Sequence, residues 1–214
     1  MRMADANYTN EYIRSTLRKS EGLLKELEAY AAENHVPVVT PEVARLLVVL
    51  GRLVKPARIL EVGTAIGYSS ILLAGTLVQG GRIDTIERQE EMILKARENI
   101  KRAGLENTIG IIAGDAEDVL RCLDKQYDMI FLDAAKGQYP EFLPDCIRML
   151  KKGGLLVSDN VLYKGMIANE QLIVRRKRTI VNRMRSYLET LCEDPSLDTS
   201  ILSVGDGVAL SYKR

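Results

Sequence analysis

Tyr127-Asp-Met-Ile-Phe-Leu-Asp133 and Leu155-Leu-Val-Ser-Asp159-Asn160 are two short apolar runs that each close on oxygen-bearing side chains. A helix-like stretch and the turn-like Lys151-Lys-Gly-Gly154 lie between them. Runs of this kind read as buried strands of a parallel sheet, in which successive β-helix-β units deliver their strand ends to one edge. Ligands collect at that edge. Asp133, Asp159 and Asn160 are therefore expected to converge as oxygen donors for a hard divalent cation such as Mg²⁺, which keeps positions open for water or substrate. Single Asp and Asn residues at strand ends more often cap turns. Their matching positions on two successive strands favour the metal.

Bulk properties narrow the field. The chain has 214 residues, 46% of them hydrophobic, and a net charge of +1. That is an ordinary globular composition, and any contact with nucleic acid must come from a local patch. No apolar run approaches the roughly 20 residues of a membrane span, and the N-terminus turns polar at once without a signal-like core. A soluble, cytoplasmic protein is expected. Cys122, Cys146 and Cys192 form no Cys-x-x-Cys pair, and His35 is the only histidine. Ordinary zinc sites and disulfide frameworks are excluded on that count. His35 sits at a helix end, so a general base is expected to be lysine, a carboxylate or a metal-bound oxygen.

Around these runs the chain alternates strands and helices. Helical periodicity covers 8–34, broken near Ser20-Glu-Gly22, and Thr40-Pro41 opens a further helix. Strands are expected at 58–62, 82–87 and 108–113, with helices at 67–78, 90–103 and 117–123 between and after them. A long helix is expected over 169–192. The C-terminal runs on either side of Gly205-Asp-Gly207 read as a hairpin. The fold class is α/β: a doubly wound, mostly parallel, seven-stranded Rossmann-like sheet with an antiparallel C-terminal hairpin and extra N-terminal helices.

The loop after the first strand, Glu61-Val-Gly63-Thr-Ala-Ile-Gly67-Tyr-Ser69, points to the cofactor. A dinucleotide fingerprint needs a middle glycine to admit the pyrophosphate, and Ala65 stands there instead. The loop suits a nucleoside without phosphate, for which S-adenosylmethionine is the candidate. Glu61 is expected at its ammonium group, Glu87 at the ribose hydroxyls, and Gly114-Asp115-Ala116 at the adenine.

Glu61-Val-Gly-Thr-Ala-Ile-Gly-Tyr-Ser, Phe131-Leu-Asp-Ala-Ala-Lys, Ser158-Asp-Asn and Val204-Gly-Asp-Gly together resemble the metal-dependent O-methyltransferases of the catechol and caffeoyl-CoA type. Asp133-Ala-Ala-Lys-Gly-Gln-Tyr139, Asp159-Asn-Val-Leu-Tyr-Lys-Gly165 and Arg175-Arg-Lys-Arg178 resemble more closely the bacterial branch that methylates 5-hydroxyuridine at the wobble position of tRNA. The resemblance implies one methyltransferase domain over 1–214, with 1–55 as helices capping the cofactor and substrate side. It implies S-adenosylmethionine contacts from Val38, Glu61, Gly63, Ser69, Glu87, Ala116 and Asp133. It implies metal ligation by Asp133, Asp159 and Asn160, a base at Lys136, and a homodimer. In the catechol enzymes an acidic residue near the C-terminal strands orients the second hydroxyl, and Gly207-Val-Ala-Leu210 offers no counterpart.

Two substrate classes follow. Lys164, Arg175, Arg176 and Arg178 would hold phosphates of a tRNA anticodon loop by sequence-blind, salt-dependent contacts, while a splayed base enters the metal site. Charge runs are more often solvated helix faces. The alternative is a small-molecule O-methyltransferase acting on catechol-like or caffeoyl-CoA-like phenols. A nicotinamide-dependent reductase is disfavoured by Ala65, and a non-catalytic binding module would not need the convergent ligands.

Overall fold

A computed structural model describes residues 4–214, with side chains described from Tyr8 onward. Strands β1 (Arg58–Val62), β2 (Arg82–Glu87), β3 (Ile109–Ala113), β4 (Tyr127–Leu132), β5 (Leu150–Asp159), β6 (Leu197–Leu202) and β7 (Val208–Lys213) form one sheet in the order β3-β2-β1-β4-β5-β7-β6. The first five pair in parallel, and β7 runs antiparallel to both β5 and β6. The helices are α1 (Ala4–Thr16), α2 (Gly22–Glu33), α3 (Pro41–Val54), α4 (Tyr68–Ala74), α5 (Glu90–Arg102), α6 (Ala116–Cys122), α7 (Tyr139–Met149) and α8 (Arg178–Glu193). The seven-stranded, mostly parallel α/β sheet with its antiparallel C-terminal hairpin is the expected architecture.

Alternation along the central strands explains the layering, because successive side chains face opposite sides of a sheet. On β4, Ile130 and Leu132 pack with Phe142, Met184 and Leu191 of α7 and α8. Met129 and Phe131 pack on the other face with Leu27, Val43, Leu47 and Leu72 of α2, α3 and α4. All four strand residues are fully buried, so both faces of the sheet are committed to the core. α1 is held to α3 by a two-pronged ion pair from Arg14 to the buried carboxylate of Glu42, at 2.7 and 2.9 Å.

Three expectations fail. Lys151-Lys-Gly-Gly154 is not a turn before the strand but part of β5. Leu150 pairs with Tyr127 and Leu155 with Met129, so the extra residues form a bulge, with Gly153 at φ +79°. Glycines and charges made the stretch look like a break, whereas a bulge accepts them while the strand continues. The helix expected over 169–192 begins only at Arg178. Before it, Glu170–Leu172 and Arg175–Lys177 are short 3-10 turns, the first capped by the Asn169 side chain accepting from the Gln171 N–H at 2.9 Å. Clustered cations oppose the helix dipole at an N-terminus, and Ile173 and Val174 add β-branched stiffness. The expected 67–78 helix is also shorter, closing at Ala74.

Of the segment 1–55, residues 1–3 lie outside the described residues. α2 and α3 pack on α4 and the sheet rather than lying across the site, and it is the linker from Pro37 to Thr40 that reaches the cleft described below.

Gly63 marks a close approach between two strand ends. It has φ +104°, and a Cβ there would lie 2.3 Å from the carbonyl oxygen of Asp133. Only glycine lets the β1 loop and the end of β4 approach this closely. Gly63→Ala is expected to lower unfolding free energy by about 2–4 kcal/mol from overpacking and left-handed strain, measured by urea denaturation; an unchanged midpoint would contradict the close approach.

Candidate active site

Chain order moves from β1 outward to β2 and β3, then returns to β4 on the other side of β1. Such a reversal leaves a crevice beyond the carboxyl ends of the two strands. Here the Asp133 N–H donates to the Val62 carbonyl at 2.9 Å, carrying the β1–β4 contact one residue past the strands. A cleft of about 500 Å³ opens at this point. Val38, Gly63, Ser69, Glu87, Ala116, Asp133, Lys136, Asp159 and Asn160 all line it, so nearly every expected cofactor, metal and catalytic residue is brought together.

Glu61 is the exception. It is fully buried at the end of β1, beneath the cleft rather than on its wall. Its Oε2 accepts hydrogen bonds from Ser70 and from Thr85, and Oε1 has no partner. Burial pushes this carboxyl up to about 7, partly offset by hydroxyls of Ser69, Ser70 and Thr85. An unpaired buried oxygen is costly, and a cationic group arriving at Ser69, which does line the cleft, would relieve it. Glu87 is organised differently. Its Oε2 accepts the Ala65 N–H at 3.0 Å, and its Oε1 accepts the N–H groups of Arg88 and Gln89 at 2.9 and 3.0 Å. The carboxylate is thus fixed by backbone before any ligand arrives. Asp115 caps α6, its Oδ1 accepting from the Glu117 N–H at 3.0 Å.

At the other end of the cleft, Lys136 Nζ donates to Asp133 Oδ1 at 2.6 Å and to the Tyr139 hydroxyl at 3.2 Å. Asp159 is 1% exposed, with Oδ1 accepting the Asn160 N–H at 2.7 Å. Burial first, then the nearby Asp133 carboxylate, pushes Asp159 up to about 7. A divalent cation fits this donor set. Two carboxylates near enough for Asp133 to raise Asp159, with an amide beside them, would be stabilised by positive charge between them. Among the described residues no group of three or more His, Cys, Asp or Glu side chains is placed to hold a metal, so the set relies on the Asn160 amide as third donor.

Comparison with known proteins agrees with this geometry. The sequence profile of the family described as O-methyltransferase matches residues 14–214. The chain belongs to that O-methyltransferase family. Among its relatives, a catechol O-methyltransferase of Niastella koreensis is 33% identical, with 96% of each chain covered. A catechol O-methyltransferase of Mycobacterium tuberculosis is also 33% identical, over 86% of this chain and 84% of the other. Among solved structures, a Staphylococcus aureus protein provisionally described as a caffeoyl-CoA O-methyltransferase superposes with a TM-score of 0.89 at 35% identity, covering 97% of this chain and 100% of the other. An O-methyltransferase from Bacillus cereus in complex with SAH gives 0.85 at 27% identity, with 97% of each chain covered.

Within this O-methyltransferase the sequence reading missed one acidic residue. Asp206, adjacent to the stretch judged to lack one, is half-buried on the β6–β7 tip. It lies close enough to raise Asp159 and to feel Lys136. Asp206 is thus an acidic neighbour of Asp159 that does not itself line the cleft. Asp206 Oδ1 accepts the Lys164 N–H at 2.5 Å, and the loop behind it is locked because a Cβ on Gly207 would strike Leu162. Lys164, Arg175, Arg176 and Arg178 are exposed and stand outside the cleft wall. No helix among the described residues is long and apolar enough to cross a membrane.

Because burial raises the Glu61 pKa from 4.5 to about 7 in the folded protein, its contribution to stability is full below about pH 4.5 and is lost as pH rises through about 7. Asp159 acts in the same direction. Ligand-free protein is expected to lose stability between pH 5 and 8, and Glu61→Gln to reduce that loss by on the order of 3 kcal/mol. Urea midpoints at the two pH values measure it; identical slopes for both proteins would show that Glu61 does not titrate in this range.

Proposed function

We propose that the protein transfers the methyl group of S-adenosylmethionine to one of two adjacent oxygens on a planar ring, with a divalent cation such as Mg²⁺ held by Asp133, Asp159 and Asn160. The observation that carries this reading is the meeting of the Gly63 loop and Glu87 with Asp133, Asp159 and Lys136 in one cleft. S-Adenosylmethionine supplies an electrophilic methyl on sulfur, and the cation supplies charge that favours the oxyanion of a ring hydroxyl. The chain's own residues do the rest. Glu87 presents a prearranged carboxylate to a ribose, and Gly63 lets the loop pass close beneath the nucleoside. On this reading Lys136, beside Asp133, takes the acceptor's proton once its own ammonium has released one. The Pro37–Thr40 wall narrows the access of water, and most of the rate advantage comes from alignment of oxygen and methyl. The SAH-bound relative, and a Streptomyces achromogenes O-methyltransferase solved in complex with SAM, support the cofactor.

For the acceptor, the activities of the relatives support a phenol of the catechol or caffeoyl-CoA kind, and Asp206 adds an acidic side chain beside the site. This reading ranks first. A second reading, 5-hydroxyuridine at the tRNA wobble position, is favoured by one observation. Lys164, Arg175, Arg176 and Arg178 form no ion pair among the described residues, whereas the neighbouring Arg183 and Arg185 are paired with Glu141 and Glu170. Unpaired cations on the segment after Asn160 suit phosphates. We also propose a single-domain cytoplasmic homodimer, supported by the exposed Tyr8, Tyr12, Val49 and Leu53 on α1 and α3; a monomer in sedimentation equilibrium would count against the dimer.

Incubation with S-adenosylmethionine and either caffeoyl-CoA, a free catechol or tRNA carrying 5-hydroxyuridine is expected to give a mono-O-methylated phenol that disappears with chelator. Efficient methylation of tRNA alone would promote the second reading, and methylation that survives chelation would remove the cation. If tRNA is the acceptor, replacing Arg175, Arg176 and Arg178 with Gln lowers that rate and its salt dependence while leaving phenol turnover unchanged. Lys136→Met is expected to lower kcat by about 100-fold or more; near-native turnover would take Lys136 out of the mechanism.

A further inference from the structure

The first helical residue of α7 holds a position that neither cofactor binding nor metal ligation accounts for. Tyr139 is fully buried, and its ring packs edge-on against Tyr187 at 5.2 Å. Its apolar surroundings would be satisfied by phenylalanine. Yet its single hydroxyl proton is shared between the carbonyls of Leu132 and Asp159, at 3.0 and 3.1 Å, and its oxygen accepts from Lys136 Nζ.

Those partners sit where the sheet comes apart. The last register pair of β4 and β5 is Leu132 with Ser158. Beyond it the strands separate, Asp133 bonding to Val62 of β1 and Asp159 pairing with Val208 of β7. No ladder bond then fixes the distance between the residues that carry the two carboxylates. One hydroxyl spans that gap and touches the lysine that pairs with Asp133.

We propose that Tyr139 is a positioning residue that tethers the ends of β4 and β5 and seats Lys136, setting the spacing of Asp133 and Asp159 for the cation. This inference rests on the cation site proposed above. Groups that orient metal ligands from behind are commonly worth about 10–100-fold in metal affinity or activity when removed. Tyr139 acts on the ligand backbone through neutral hydrogen bonds and makes no contact with the reacting atoms.

Tyr187→Phe provides the matched control. It deletes a hydroxyl from the same buried layer, one whose partner is Ser158 Oγ at 2.5 Å, the residue next to Asp159. Mn²⁺ binding to the full chain, with S-adenosylhomocysteine present, is followed by electron paramagnetic resonance for the native protein and for Tyr139→Phe, Tyr187→Phe and Asp159→Asn. Tyr139→Phe is expected to weaken Mn²⁺ binding by about 10-fold or more, with kcat lowered and the KM for S-adenosylmethionine unchanged. Tyr187→Phe is expected to bind Mn²⁺ as the native protein does, although both variants lose thermal stability. Native Mn²⁺ affinity in Tyr139→Phe, or equal weakening in both tyrosine variants, would overturn the positioning role and leave the cation site standing. Native protein that binds Mn²⁺ no better than Asp159→Asn would overturn the site itself, and the tether with it.

Discussion

Asp133 and Asp159 repel one another in a place with little water to screen them, and much of the surrounding structure follows from keeping them there. Their strands pair only as far as Leu132 and Ser158, and beyond that point the Tyr139 hydroxyl reaches both strand ends. Asp133 is stitched to β1 through Val62, and Asp159 to β7 through Val208. Lys136 answers one of the charges and leaves Asp159 with a raised pKa. Residual repulsion between two carboxylates is a poor way to stabilise a fold, and a cation bound between them would relieve it. The absence of usable histidine leaves hard oxygen donors as the chemistry of this site.

The cofactor end obeys a different constraint. There the demand is close approach, met by Gly63 against the Asp133 carbonyl and by backbone N–H groups that fix Glu87. Glu61 lies below the loop with one unsatisfied oxygen, stabilised by hydroxyls rather than by any cation of the protein. The two ends share Asp133: its backbone closes the crevice under the Gly63 loop, and its side chain belongs to the carboxylate pair. A single strand end thereby couples methyl-donor binding to acceptor binding.

Sequence made the central strands legible because each is an apolar run bounded by polar or glycine residues, and β1, β2 and β4 stand where that pattern places them. Topology brings Glu87, Asp133, Asp159 and Asn160 from the strand ends to one cleft, whereas Glu61 lies beneath it. What could not be read depended on contacts distant in sequence. The glycines of β5 imitate a turn, and only pairing with β4 reveals a bulge. The basic run at 175–178 imitates a helix, but the cation cluster delays helix formation until Arg178. Asp206 comes near Asp159 only when the β6–β7 tip bonds to the loop at 162–164. Tyr139 reads as one more core aromatic until its hydroxyl is traced to two strand ends.

On the proposed reading the site needs two adjacent oxygens on a flat ring, a demand that a free phenol, a carrier-bound phenol or a base in RNA could each meet. The choice among them rests with the surface beyond the ligands, where Asp206 holds Lys164 and the 3-10 turn displays Arg175 and Arg176. The proposed cation would be common to all of them. Anomalous diffraction from crystals grown with Mn²⁺ and S-adenosylhomocysteine tests it most directly. The account predicts one metal peak bounded by Asp133, Asp159 and Asn160; a cleft filled by the nucleoside with no peak at those side chains would contradict it.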